Sequence, residues 1–288
     1  MRPGTLDGPD AISHARIGSG APRKEPLTET TRHRRAAEIL LDHWRRGTKL
    51  DALPDDVRPR TRAEGYAIQR EWQLCSGQGL GAWKLAATSV HGQRHVDVDG
   101  PMAGRILADR IVPPGSTLSL AGNIMRVAEP EFAFVLGRDL APRATPWTRA
   151  EVLDAVTALR LALEVPDSRY ADFVHAGEAQ LVAESACAHD LVLGPVVTAD
   201  WRSLDLVDHV VQAEVGGRYR RQGTGAAVLG DPRTALVWWA NELSTLGETA
   251  RAGQVVITGT CMKSLELQEG DYVHADYGVL GSIDARFR

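Results

Sequence analysis

Two glutamates separated by a single proline, Glu129-Pro130-Glu131, stand at the head of the apolar run Phe132-Ala133-Phe134-Val135-Leu136. In a strand, side chains two residues apart project to the same face, so both carboxylates would converge on one point. Like charges held together in an interior need something positive between them. A hard divalent cation such as Mg²⁺ or Mn²⁺ suits such oxygen ligands. The same spacing also fits an exposed strand face carrying two solvated glutamates.

A third carboxylate favours the cation. The segment Leu159-Arg160-Leu161-Ala162-Leu163-Glu164-Val165 alternates as a strand, with Glu164 on the face of Ala162 and directly ahead of Pro166-Asp167-Ser168-Arg169. Reactive groups suit such strand-to-loop positions, where a rigid scaffold meets a segment that admits substrate. Glu129, Glu131 and Glu164 would supply three oxygen ligands and leave the other positions of the cation to water and substrate. Asp167 and Arg169 are expected to pair and pin the following loop. Ser168, with no base identifiable nearby, is read as structural.

The rest of the chain divides into three parts. Residues 1–28 are rich in Gly, Pro, Ser and charge without an apolar period and read as a disordered extension. Arg34-Arg35 precedes a charged amphipathic helix rather than an apolar segment, which argues against an export signal. Residues 29–79 form a small helical cap, with a helix from Glu29 to Arg46 and another over residues 61–75 whose start carries the capping-box pair Thr61 and Glu64. Residues 80–288 form the main domain, rich in short strands. Within it, residues 149–158 read as a helix feeding the Glu164 strand, and Gly216-Gly217 closes a β-hairpin. Asp231 caps a helix that begins at Pro232, carries Leu236, Trp239, Ala240, Leu243 and Leu246, and stops at Gly247. The pattern is α+β, a mixed domain around a curled sheet.

A chain of 288 residues with 43% hydrophobic content can bury a substantial core. Its net charge of -4 gives no reason to expect nucleic acid or a membrane surface as partner. No stretch approaches the roughly 20 apolar residues that span a bilayer. Cys75, Cys187 and Cys261 are scattered, consistent with reduced thiols and a cytoplasmic location. Gly223-Thr224-Gly225 with Gly230 lacks the spacing of a dinucleotide loop and reads as a tight backbone turn. His91 and His95 lack the glutamate of a zinc-protease motif and read as surface or packing histidines. Lys84, in the half-buried run Trp83-Lys84-Leu85, needs either a structural acid as partner or a place beside the cation.

Several segments in register carry a resemblance. Gly81-Ala82-Trp83-Lys84-Leu85, Val98-Asp99-Gly100-Pro101, the Glu129-Pro130-Glu131 run, Glu164-Val165-Pro166-Asp167-Ser168-Arg169, Gly223-Thr224-Gly225-Ala226-Ala227 and Asp276-Tyr277-Gly278-Val279-Leu280-Gly281-Ser282 follow the order and rough spacing of one family. From about Gly81 to Phe287 the chain resembles the 2-oxopent-4-enoate hydratase and 4-oxalocrotonate decarboxylase family of the fumarylacetoacetate hydrolase superfamily. The resemblance implies a fumarylacetoacetate hydrolase-like mixed β-roll with peripheral helices. It places Lys84 and Asp99 at active-site positions, although Asp99 also fits a turn before Pro101.

The implied enzyme is a hydro-lyase of aromatic catabolism using Mg²⁺ or Mn²⁺. It would add water to a 2-hydroxy-2,4-dienoate of the 2-oxopent-4-enoate type, giving a 4-hydroxy-2-oxo acid through an enolate stabilised by the cation. Lys84 and Asp99 would move protons or orient water. Alternatives are decarboxylation of a 4-oxalocrotonate, then carbon–carbon hydrolysis of an acylpyruvate, then a non-catalytic structural relative. The family's habit of assembly implies a homo-oligomer. Two segments depart from the family pattern, Ala183-Glu184-Ser185-Ala186-Cys187 and Thr260-Cys261-Met262-Lys263-Ser264. The second is expected to contact an altered substrate acid.

Overall fold

The computed structural model describes residues 28–288 together with Met1 and Gly4, so the extension expected over residues 1–28 lies almost wholly outside the described residues. Helices α1 (Glu29–Arg46) and α2 (Arg62–Ser76) open the described chain. Thr28 caps α1, and Thr61 with Glu64 forms the expected capping box at α2. Their shared core of Ala36, Leu40, Ile68 and Trp72 continues onto Tyr170 and Ala183, so the cap and the domain that follows bury one another.

From Leu80 the chain runs through β1 (Leu80–Ala86), α3 (Val90–His95), β2 (Met102–Leu107), β3 (Ile111–Val112), β4 (Thr117–Leu118) and β5 (Val127–Leu136). It continues through α4 (Arg149–Ala155), β6 (Val156–Val165), α5 (Glu178–Ala183), β7 (Asp190–Val196), β8 (Val210–Val215) and β9 (Tyr219–Thr224). The last elements are α6 (Pro232–Thr245), β10 (Val255–Thr260), β11 (Leu265–Glu266), β12 (Tyr272–Asp276) and β13 (Ser282–Phe287). One eight-stranded mixed sheet has the order β2-β1-β10-β5-β6-β7-β3, with β11 also paired to β5. A five-stranded sheet follows the order β4-β13-β12-β8-β9. Phe132, Phe134 and Leu161 of the first sheet share a core with Val211, Val273 and Ile283 of the second. This is the α+β architecture expected, and no described helix is long and apolar enough to cross a membrane.

Local expectations held where the signal was short-range. Asp231 accepts the N–H of Arg233 at the head of α6, and Gly216 and Gly217 both adopt positive φ between β8 and β9. Two readings need correction. Helix α4 stops at Ala155 because the β-branched Val156 and Thr157 already belong to β6, where Val156 pairs with Leu136. The Asp167 and Arg169 side chains do not pair with each other. Asp167 is held by Lys49, from the link after α1, and Arg169 pairs with the buried Glu184 at 3.2 Å.

Candidate metal centre

Strands β5 and β6 run antiparallel with Glu129 directly opposite Glu164 and Glu131 opposite Ala162. Opposite residues share a face, and Glu131 lies two residues along it, so register alone gathers the three acids. An oxygen from each lies within 4.8 Å of the others. Glu131 and Glu164 are completely buried, whereas Glu129 is half-buried.

Each carboxylate has its own positioning contact. Ser264, just ahead of β11, donates its hydroxyl to Glu129 Oε1 at 2.5 Å. The Gly259 N–H donates to Glu131 Oε2 at 2.6 Å. The pairing of β10 with β5 shifts register between Ile257 and Thr260, and this irregularity turns the Gly259 amide out of the ladder. Gly259 has a φ of 108°, and a side-chain carbon there would lie 1.9 Å from Thr88 Oγ1.

Lys84 projects from β1 into the same place, 4% exposed, with Nζ 3.2 Å from Glu164 Oε1 and donating to the Ala186 carbonyl at 2.9 Å. That carbonyl sits in three consecutive left-handed residues, Ser185, Ala186 and Cys187, with φ of 68°, 51° and 62°. Such a run of L-residues costs roughly 1–2 kcal/mol per residue, and surrounding contacts hold it. Cys187 O accepts the Asp167 N–H, and Glu184 accepts Ser168 Oγ and the Arg169 N–H.

The electrostatics identify what the trio lacks. Glu131 Oε1 and both oxygens of Glu164 have no hydrogen-bond partner despite their burial. The approach of Lys84 to Glu164 is an ion-pair distance without hydrogen-bond alignment. Burial, reinforced by the charges of Glu164 and Glu129, raises the Glu131 carboxyl well above the usual range. Burial pushes Glu164 up to about 7, with Lys84 pulling it down and Glu129 pushing it up. For Lys84, burial favours losing the proton, but the neighbouring acids, chiefly Glu164, outweigh it and keep the ammonium charged. Orphaned oxygens converging from three acids fit a hard divalent cation.

Two measurements follow from this geometry. Ser264→Ala frees Glu129 and is expected to weaken Mg²⁺ binding by about 10- to 100-fold, measured by titration calorimetry; an unchanged affinity would show that the hydroxyl does not orient the ligand. The second is a pH dependence. Because Glu164 is raised from 4.5 to about 7 in the fold, the cation-free protein loses stability as pH climbs through that interval. A cation displaces those protons, so millimolar Mg²⁺ should raise the melting midpoint more at pH 8 than at pH 6. Equal rises at both pH values would contradict the raised position of Glu164.

The acids meet solvent through a cavity of about 1100 Å³. Lys84 and Glu129 line it, with Glu131 and Glu164 buried behind them. His91 and His95 also line it from α3, both exposed as expected of surface histidines, although their place on the cavity was not foreseen. Asp99 is not brought to the trio: its side chain is exposed and does not line the cavity. Cys187 and Cys261 are buried free thiols on the wall, as expected of scattered, reduced cysteines, and pack there as small apolar side chains. A second cavity, of about 780 Å³, lies between the end of α1 and residues 167–169 and contains none of the three acids.

Comparison with known proteins identifies the family. The model of the family described as "Fumarylacetoacetate (FAA) hydrolase C-terminal" matches residues 87–288. A 2-keto-4-pentenoate hydratase of Paraburkholderia xenovorans (strain LB400) is 31% identical over 255 residues, covering 88% of this chain and 93% of that protein. A 4-oxalocrotonate decarboxylase of a Pseudomonas species is 31% identical over 231 residues, 80% and 87% of the respective chains. Among solved structures, 4-oxalocrotonate decarboxylase from Pseudomonas putida G7, complexed with magnesium and adipate, superposes with a TM-score of 0.81 at 26% identity. It covers 91% of this chain and 99% of that one. The chain belongs to the fumarylacetoacetate hydrolase family.

Proposed function

We propose that the protein is a hydro-lyase that adds water to a 2-hydroxy-2,4-dienoate of the 2-oxopent-4-enoate type, yielding a 4-hydroxy-2-oxo acid. The observation that carries this reading is the buried trio of acids with orphaned oxygens, set beside Lys84 at the end of a cavity in a chain whose full-length relatives include 2-keto-4-pentenoate hydratases. Glu129, Glu131 and Glu164 would hold Mg²⁺ or Mn²⁺, and magnesium in the similar decarboxylase structure supports the first. When bound, the cation would supply positive charge to a keto oxygen and neighbouring carboxylate oxygen of the acid.

The chain's own groups do the rest. The Lys84 ammonium, fixed by the Ala186 carbonyl, stands where it would bind the substrate carboxylate or deliver a proton. Ser264 and the Gly259 amide keep two carboxylates in place. Asp99 receives no role from its exposed position, and a proton donor or acceptor on the far side of the substrate would come from the loops around α3 or from water.

Decarboxylation of a 4-oxalocrotonate is the second reading, favoured by the overlap with the decarboxylase structure. Hydrolysis of an acylpyruvate stands behind both, because among the described residues His91 and His95 line the cavity without a carboxylate partner that would make either a base, His95 standing edge-on to Phe173 instead. Incubation with 2-hydroxypenta-2,4-dienoate, 4-oxalocrotonate and an acylpyruvate, with products identified by mass, separates the three. Gain of water is the expected result; loss of CO₂ alone, or scission into two acids, would replace the proposal.

A further inference from the structure

We infer that the acid turned over at this site carries an extended apolar tail beyond its 2-oxo-acid head, an inference that rests on the 2-oxo-acid reading above. The cavity that ends on Lys84 and Glu129 has a volume of about 1100 Å³. Pockets for drug-sized ligands run to roughly 300–1,000 Å³, so a five-carbon dienoate would leave most of this one to water. The space beyond the head is walled by Val96, Met125, Val127, Phe173, Leu181 and Met262. These come from separate parts of the chain, yet all face the same space. Val127 shares the strand face of Glu129 and Glu131, two residues before the first of them, so the apolar wall begins next to the head group. Ile124, 44% exposed, extends it towards the mouth.

The polar groups on this lining are mostly committed elsewhere. Ser89 Oγ accepts the Gly92 N–H at the start of α3, and Thr260 Oγ1 donates to the Met262 carbonyl at 2.9 Å. Among the lining residues the lysines are Lys84, which belongs to the head group, and Lys263, which pairs with Glu266 at 3.2 Å. His95 stands edge-on to Phe173 with ring centroids 6.1 Å apart, adding to the flat wall. A second carboxylate at the far end of the substrate would therefore meet mostly carbon, with the exposed imidazoles of His91 and His95 and an already paired lysine as the polar groups within reach. An alkyl or aryl substituent would meet surface of its own kind, while flexible methionines accommodate its shape.

The test is a substrate series in Mg²⁺: 2-hydroxypenta-2,4-dienoate, its derivatives with methyl, propyl and pentyl groups on the terminal carbon, and a derivative ending in a second carboxylate. The expected kcat/KM climbs about three- to fourfold per methylene over the first few carbons and is lowest for the diacid. A flat or falling order, or a preference for the diacid, overturns the inference while turnover of the unsubstituted dienoate leaves the hydratase reading standing. If no dienoate reacts, that reading fails, and Mg²⁺-dependent melting shifts with pyruvate, 2-oxohexanoate and 2-oxooctanoate decide the matter of the tail. Growth of the shift with chain length supports it, and no growth overturns it. Ile124→Arg, at a position exposed enough to accept charge, should move the ratio of diacid to pentyl substrate at least tenfold towards the diacid. An unchanged ratio would mean that the tail does not run along this wall.

Discussion

Glu164→Gln is expected to lower kcat/KM by roughly 10³-fold or more, equivalent to about 4 kcal/mol of transition-state stabilisation, and to abolish the rise in melting midpoint that Mg²⁺ gives the parent. Glutamine keeps the shape of the side chain but offers a neutral oxygen where the trio needs an anion. The fold should survive the change. Glu164 makes no hydrogen bond that an amide would lose, and Lys84 retains the Ala186 carbonyl together with the charges of Glu129 and Glu131. Comparing melts with and without Mg²⁺ separates the two effects. A variant that melts normally, ignores the cation and is inactive is the expected result. One that still gains stability from Mg²⁺ would remove Glu164 from the ligand set.

Gly104→Ala should be among the most damaging single-methyl changes near the site. Gly104 pairs with Lys84 across β1 and β2, and a side-chain carbon there would lie 2.0 Å from the Ser185 carbonyl oxygen and 3.1 Å from Lys84 Cδ. The obstacle is backbone, held by the left-handed run of residues 185–187, and cannot rotate away as a side chain could. Either β2 shifts or residues 185–187 move off the sheet and take the Lys84 acceptor with them. A loss of about 3 kcal/mol, read from denaturant midpoints, should accompany a fall in activity larger than the unfolded fraction explains. Stability within about 0.5 kcal/mol of the parent would mean that the contact relaxes without cost.

Much of the site was legible in the sequence because it follows from strand periodicity. A two-residue spacing fixes a common face whatever the rest of the chain does, and Glu129 and Glu131 needed nothing more. Glu164 was legible as a residue at a strand end, but its position opposite Glu129 depends on which strands pair, and periodicity does not contain that. Ser264 and Gly259 were missed as positioning groups for the same reason: they reach the acids across 135 and 128 residues of sequence. A serine and a glycine carry no charge pattern that would betray such contacts.

The misreadings have physical causes as well. Asp167 and Arg169, two apart, looked like partners, yet in the irregular segment that follows β6 the first pairs with Lys49 and the second with Glu184. Asp99, by contrast, is not a misreading that the structure establishes: a motif alone carried it, and its side chain stands exposed and away from the cavity lining. The end of α4 was set by cross-strand pairing of Val156 with Leu136, a tertiary contact that overrides helical periodicity. In contrast, α6 and the β8–β9 hairpin depend on caps and turns written within a few neighbouring residues, and both were read correctly.

The family match begins at residue 87, so the opening helices fall outside it. They are nevertheless sewn to the loop behind Glu164. The Leu50 N–H donates to Arg169 O and the Ala171 N–H to Leu50 O, each at 2.8 Å, while Lys49 clasps Asp167 and the Ser168 carbonyl. Grafting the matched segment behind a foreign leader would therefore leave a gap at the rear of the cation cradle. Recombination of this scaffold has to carry the stretch around Lys49 and Leu50 along with it.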